Sequence, residues 1–231
     1  MASSHYPGIT WFVVSVPVST QNPIIVFDSG IGGLSVYRPL RLALPNANIV
    51  YIADSSHFPY GDKSAQWLSD RFKELTIQFA ALNPLAVVLA CNTATTNIIS
   101  EVRQKLSCPV IGVEPVIKPL SVYASCLALM TESSAKSSAT AKLLEQYGAH
   151  VMVYTPKGLA AAIEYNDYDQ VKRSIHEIKK LVQKYHIQAV GLSCTHYPLV
   201  LPALRQAMPE VVFIDPSDAV VREVLRVLRL G

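Results

Sequence analysis

Ala86-Val-Val-Leu-Ala-Cys91-Asn-Thr93 and Ala189-Val-Gly-Leu-Ser-Cys194-Thr-His196 carry one pattern twice. In each, an apolar run of strand length ends on a cysteine and then turns polar, and the two cysteines stand 103 positions apart. Apolar residues in unbroken succession mark strands covered on both faces, as in parallel sheets. Outward from the cysteines the likeness continues. A helical segment bearing Arg-Gln (Arg103-Gln104, Arg205-Gln206) leads to a second apolar run, which ends in acid-proline both times, at Val-Glu114-Pro115 and Ile-Asp215-Pro216. Upstream, the runs 24–27 and 127–130 keep the same offset, and polar turn residues follow each.

Strands are expected at 24–27, 49–53, 86–90, 110–113, 127–130, 150–153, 189–193 and 211–214. Helical patterns separate them. Ser64 suits an N-cap, with Leu68, Phe72, Leu75, Phe79 and Leu82 following at helical steps; Val171, Ile175, Ile178, Val182 and Tyr185 repeat the stripe. Pro198 suits the first turn of a helix carrying Leu201 and Leu204. These stripes are core. Strands alternating with helices give an α/β fold with mainly parallel sheets. The repeat makes it two pseudo-symmetric Rossmann-like domains with an active-site cleft between them. The boundaries expected are 1–22 as a loosely ordered N-terminal extension, 23–116 with 211–231 as the first domain, and 117–210 as the second.

Half of the 231 residues are hydrophobic and 16% are charged, with a mean hydropathy of +0.27, which suits a buried sheet and excludes a disordered chain. Net charge is +3, and Lys179-Lys180 is the densest basic pair, so nucleic acid is not expected as a partner. The apolar stretch 9–18 lacks a preceding Lys or Arg and a small-x-small cleavage site, and is too short to span a bilayer. No membrane partner is expected. The cysteines at 91, 108, 126 and 194 form no C-x-x-C pair, which argues against structural zinc, and four are too few for a disulfide framework in a chain this long, so free thiols in the cytoplasm are expected.

In open α/β sheets ligands bind beyond the carboxyl ends of the strands. Asp28-Ser29-Gly30, Pro59-Tyr60-Gly61, Cys91-Asn92-Thr93 and Cys194-Thr195-His196 all fall at or just past such ends. Cys108 and Cys126 sit in apolar surroundings and read as small buried hydrophobes. Cys91 and Cys194 differ, because polar groups follow each and the repeat sets them facing across a cleft. Two equivalent acid/base groups on opposite faces of one carbon can remove a proton from a stereocentre and return it from the far side. A thiol, with a reference pKa of ~8.5, serves in either direction once its neighbours tune it. Such chemistry needs neither cofactor nor metal. Asp28 and His196 stand where they could orient, or exchange a proton with, Cys91 and Cys194 respectively. The Gly-rich run 28–33 lacks the G-x-G-x-x-G pattern and a Walker Lys; its N–H groups read as a carboxylate receiver, with Asn92, Thr93 and Thr195 adding hydrogen bonds.

Phe-Asp28-Ser-Gly-Ile-Gly-Gly-Leu-Ser-Val36, Pro59-Tyr-Gly61, Ala-Cys91-Asn-Thr-Ala94, Gly-Val-Glu-Pro115 and Cys194-Thr-His-Tyr-Pro198 resemble the glutamate racemases of bacteria, in order and spacing. The resemblance implies that Cys91 and Cys194 are the catalytic thiols and that Asp28 and His196 assist them. It places Glu164 behind the histidine and puts substrate contacts on Asp28, Ser29, Tyr60, Gly61, Asn92, Thr93, Thr195 and His196. Glutamate is then the small-molecule partner, D-glutamate for peptidoglycan synthesis the product, and a homodimer one assembly the family allows. Ser193 stands where the family usually has glycine, and the family usually runs on through a further strand and helix beyond the position of Leu230. Two other readings stand beside this one: an aspartate or related amino-acid racemase of the same superfamily, and a catalytically degenerate amino-acid-binding protein.

Overall fold

Residues 10–12 and 22–229 are described by the computed structural model of the chain. The first unit holds β1 (Thr10–Phe12), β2 (Ile24–Asp28), α1 (Leu34–Ala43), β3 (Ile49–Ala53), α2 (Ala65–Ala81), β4 (Ala86–Leu89), α3 (Asn92–Lys105) and β5 (Val110–Gly112). After α4 (Ile117–Leu120), the second unit runs through β6 (Cys126–Met130), α5 (Glu132–Lys136), α6 (Ser138–Tyr147), β7 (Met152–Tyr154) and α7 (Leu159–Glu164). It continues through α8 (Tyr168–Lys184), β8 (Ala189–Ser193), α9 (Leu201–Ala207) and β9 (Val212–Ile214), and α10 (Ser217–Leu228) closes the chain. All eight expected strands form, with ends within two residues of the expected ones.

Successive strand residues feed opposite layers, as the period of two requires. Ile24 and Val26 face α1 and α10 through Val36, Leu40, Val220 and Val224. Ile25 and Phe27 face α2 and α3 through Leu68, Phe72, Phe79 and Ile98. The second sheet repeats this: Leu127 and Leu129 pack on Ile163, Ile175 and Ile178, while Cys126, Ala128 and Met130 pack on Ile117 and Leu120. Helices on both faces account for the continuous apolar runs.

The parallel strands lie in the order β3-β2-β4-β5 in one sheet and β7-β6-β8-β9 in the other, one permutation used twice. In that permutation the connection reverses direction between β2 and β4, and again between β6 and β8. The crevice at such a reversal is where open α/β sheets take ligands. Asp28 and Cys91 stand at one reversal, Thr131 and Cys194 at the other.

Two expectations change. Val212–Ile214 does not return to the first unit but pairs with β8 as the edge of the second sheet, and the chain crosses back only at Asp215-Pro216. Only α10 rejoins the first unit, laying Val220, Val221 and Val224 against the β2 face. The apolar run 211–214 could not by itself reveal which sheet has the open edge. Within the expected loose extension, Thr10–Phe12 pairs antiparallel with Ala53, Ile52 and Tyr51, covering the outer edge of β3; the rest of 1–21 lies outside the described residues. The other crossing, after β5, is tied down by Ser193, whose Oγ accepts the Val116 N–H at 3.1 Å. Among the described residues no helix is long and apolar enough to cross a membrane.

Candidate active site

Cys91 lies two residues past β4 and caps the N-terminus of α3, so its sulfur sits where free N–H groups and the helix dipole favour negative charge. Ser29 Oγ lies 3.9 Å from Sγ. Behind them Asp28, fully buried at the end of β2, accepts the Gly30 N–H and the Thr195 hydroxyl, each at 3.0 Å. Burial, aided by the Asp28 charge, pushes the Cys91 thiol up to about 12. Burial also lifts the Asp28 carboxyl above its ordinary value, against the opposing pull of His196 and its two hydrogen bonds. As it stands, this half of the cleft favours a protonated thiol.

Cys194 is placed by β8 in the same way, but its surroundings differ. His196 Nδ1 lies 4.0 Å from Cys194 Sγ, and Nε2 lies 2.7 Å from Glu164 Oε2 on α7. The same carboxylate oxygen accepts the Ile31 N–H of the first unit at 2.8 Å. Burial alone would lower the His196 imidazole, but its contacts with Cys194 and Glu164 outweigh that and carry it up to about 10. An imidazolium with one N–H toward sulfur and the other toward carboxylate follows. The glycine loop of the first unit makes room for this pair. A Cβ on Gly30 would lie 2.3 Å from Glu164 Oε2, and one on Gly32 would lie 2.3 Å from His196 Nδ1. Only glycine allows that approach.

Both thiols lie on the wall of one cavity of about 300 Å³ between the two units. Ser29, Tyr60, Gly61, Asn92, Thr93, Thr195 and His196 share that wall, whereas Asp28 and Glu164 stand behind it. Tyr60 lines the cavity, and its hydroxyl donates to Asp54 at 2.6 Å. Asn92 donates to the Val113 carbonyl at 2.8 Å, and among the described residues its buried Oδ1 has no hydrogen-bond partner. Thr93 shares a hydrogen bond of 2.9 Å with Thr131. Thr131 was not singled out in the sequence, although it stands 103 positions after Asp28 and so occupies the matching strand end. Phe58, Lys157 and Tyr197 also line the cavity without having been singled out. Nor was Asp54, whose buried carboxylate takes Arg71 in a two-pronged pair at 2.8 and 2.9 Å. Burial works against that carboxylate, but Arg71, Tyr60 and His57 hold it below the usual range.

The model of the Asp/Glu/Hydantoin racemase family matches residues 40–224. A glutamate racemase of Ectopseudomonas mendocina is 38% identical over 223 residues, covering 90% of this chain and 83% of that protein. The crystal structure of Escherichia coli glutamate racemase, in complex with L-glutamate and the activator UDP-MurNAc-Ala, superposes with a TM-score of 0.78 at 30% identity, covering 90% of this chain and 83% of that one. The Francisella tularensis enzyme in complex with D-glutamate gives 0.78 at 27% identity, with 90% and 81% covered. Aspartate racemase of Picrophilus torridus, at 12% identity and a TM-score of 0.63, shares the fold. Twin sheets with a thiol at each matching strand end, together with these similarities, establish that the chain belongs to the Asp/Glu/Hydantoin racemase family.

Proposed function

We propose that the cleft interconverts L- and D-glutamate by moving the α-proton between Cys91 and Cys194, with no cofactor. The observation that carries this reading is the pair of buried thiols, at equivalent ends of two topologically equal sheets, on the wall of one cavity. One sulfur, as thiolate, takes the α-hydrogen and leaves a carbanion. The opposite thiol then gives its proton to the other face, so configuration inverts and the two sulfurs exchange protonation states. Before the next turnover in the same direction, protons must redistribute.

Each half of the cavity supplies a different means of making a thiolate. Beside Cys194 the His196 imidazolium, held by Glu164, provides positive charge. Beside Cys91 the α3 N-terminus helps, but the thiol sits high until a cation enters. The substrate's ammonium group is such a cation, and the unpartnered Oδ1 of Asn92 is a ready acceptor for one of its N–H groups. Asp28 acts from behind, holding Thr195 in place. Glutamate as substrate is supported by the names of the relatives that match over most of their length. Four unpaired cysteines fit a reducing cytoplasm, where D-glutamate would feed peptidoglycan synthesis.

The test is polarimetry or circular dichroism on L-glutamate without added cofactor. Loss of optical rotation is expected, with equal amounts of both enantiomers at the end. Turnover of aspartate but not glutamate would overturn the substrate assignment. No exchange of the α-hydrogen with heavy water for either amino acid would overturn the reaction.

A further inference from the structure

The His196–Glu164 pair belongs to the second unit, yet the first unit covers it. One cover is the glycine loop at Gly30 and Gly32. The other is Phe58, whose ring lies 5.1 Å from that of His196 and 5.9 Å, edge-on, from that of Tyr165, the residue next to Glu164. Phe58 is only half-buried and lines the cavity.

What holds it there lies on either side. His57 Nδ1 and the Tyr60 hydroxyl both reach the fully buried Asp54 carboxylate, at 2.9 and 2.6 Å. The two remaining approaches to that carboxylate are taken by Nε and Nη2 of Arg71, from α2. The Asp54 N–H, meanwhile, donates to the Asp28 carbonyl at 3.0 Å, tying the anchor to the strand end behind the site. A carboxylate with four side-chain donors is fixed in place, so the loop is clamped immediately before and after the Phe58–Pro59 pair. The planar guanidinium fork suits such a clamp better than an ammonium would.

We propose that Asp54 and Arg71 are positioning residues that clamp the loop 57–61 at both ends, so that Phe58 seats on His196 and seals the His196–Glu164 pair from water when the cleft is closed. The proposal rests on the reading of the cleft as a two-thiol racemase. Water excluded from that pair leaves the imidazolium with only Cys194 and Glu164 as partners, which is where its charge is useful. Phe58 performs no proton transfer; it acts through the imidazole.

Steady-state glutamate racemisation by four proteins tests this: Phe58→Ala, Phe58→Leu, Arg71→Met, and the double variant Phe58→Ala/Arg71→Met. Phe58→Ala is expected to lower kcat by about 10- to 100-fold, the scale of a lost alignment at a reacting group, with KM within about threefold and an unchanged melting temperature. Phe58→Leu, which restores an apolar cover, should recover most of the loss. Arg71→Met should reduce kcat in the parent but add almost nothing in the Phe58→Ala background, because coupled residues fail additivity. Should Arg71→Met not fold, owing to its uncompensated buried carboxylate, Asp54→Asn/Arg71→Met replaces it in the cycle. Phe58→Ala within twofold of the parent overturns the seal, and fully additive losses overturn the clamp. An inactive parent would instead sink the racemase reading itself.

Discussion

At the scale of single residues, the proposed two-thiol reaction rests on Cys91 and Cys194, and the side chains beside them differ. Cys91→Ser and Cys194→Ser should each abolish racemisation, a loss of ~10²–10⁴-fold or more for a displaced acid/base group, measured as optical rotation of glutamate. Either variant with parental activity would end the two-thiol mechanism. His196 adds a pH signature to stability. Its imidazole, raised from 6.5 to about 10, binds a proton more tightly folded than unfolded. Its contribution is therefore complete below pH 6.5 and is lost as pH climbs through 10. The melting temperature should fall over that window in the parent and fall less in His196→Gln. The thiols and the polar groups beside them were legible in the sequence because each follows its cysteine directly. Asp54 and Arg71 were not. An acid and a base 17 positions apart, with no periodic signature, become partners only once β3 and α2 have docked.

At the scale of elements, the helices owe their boundaries to local chemistry. Ser64 accepts the Trp67 N–H at 3.1 Å and starts α2 where its hydrophobic stripe begins. Ser64→Ala should cost about 1 kcal/mol of unfolding free energy, read from a shifted denaturant midpoint with unchanged slope. That all eight strands could be read from sequence follows from their coverage on both faces, which leaves apolar runs with sharp polar ends. The strand β9 shows the limit of such reading. Its composition says that it is a strand, but membership of a sheet depends on which edge is open, and both units end in the same acid-proline. The α10 helix returns to the first unit because Val220, Val221 and Val224 complete the layer over Ile24 and Val26. Val224→Asp, which would bury a charge in that layer, should destabilise by several kcal/mol, seen as a large drop in melting temperature.

At the scale of the whole molecule, the cavity joins two units that meet through few covalent crossings, so a ligand held between them acts as a brace. Glutamate at 100 times its dissociation constant should stabilise the folded state by about 2.7 kcal/mol, detected as a rise in melting temperature. No rise at saturation would argue that the cavity does not hold it. The duplicated strand order also sets a limit on symmetry. Asp28 and Ser29 surround one sulfur, and His196 with Glu164 the other, so mirror-image molecules meet unlike hosts. Their individual affinities and turnover numbers can therefore diverge. Since mirror-image forms of one molecule have equal free energy in water, the ratio of turnover number to Michaelis constant must nonetheless be identical in both directions. Whatever advantage one enantiomer gains in binding, it surrenders in speed.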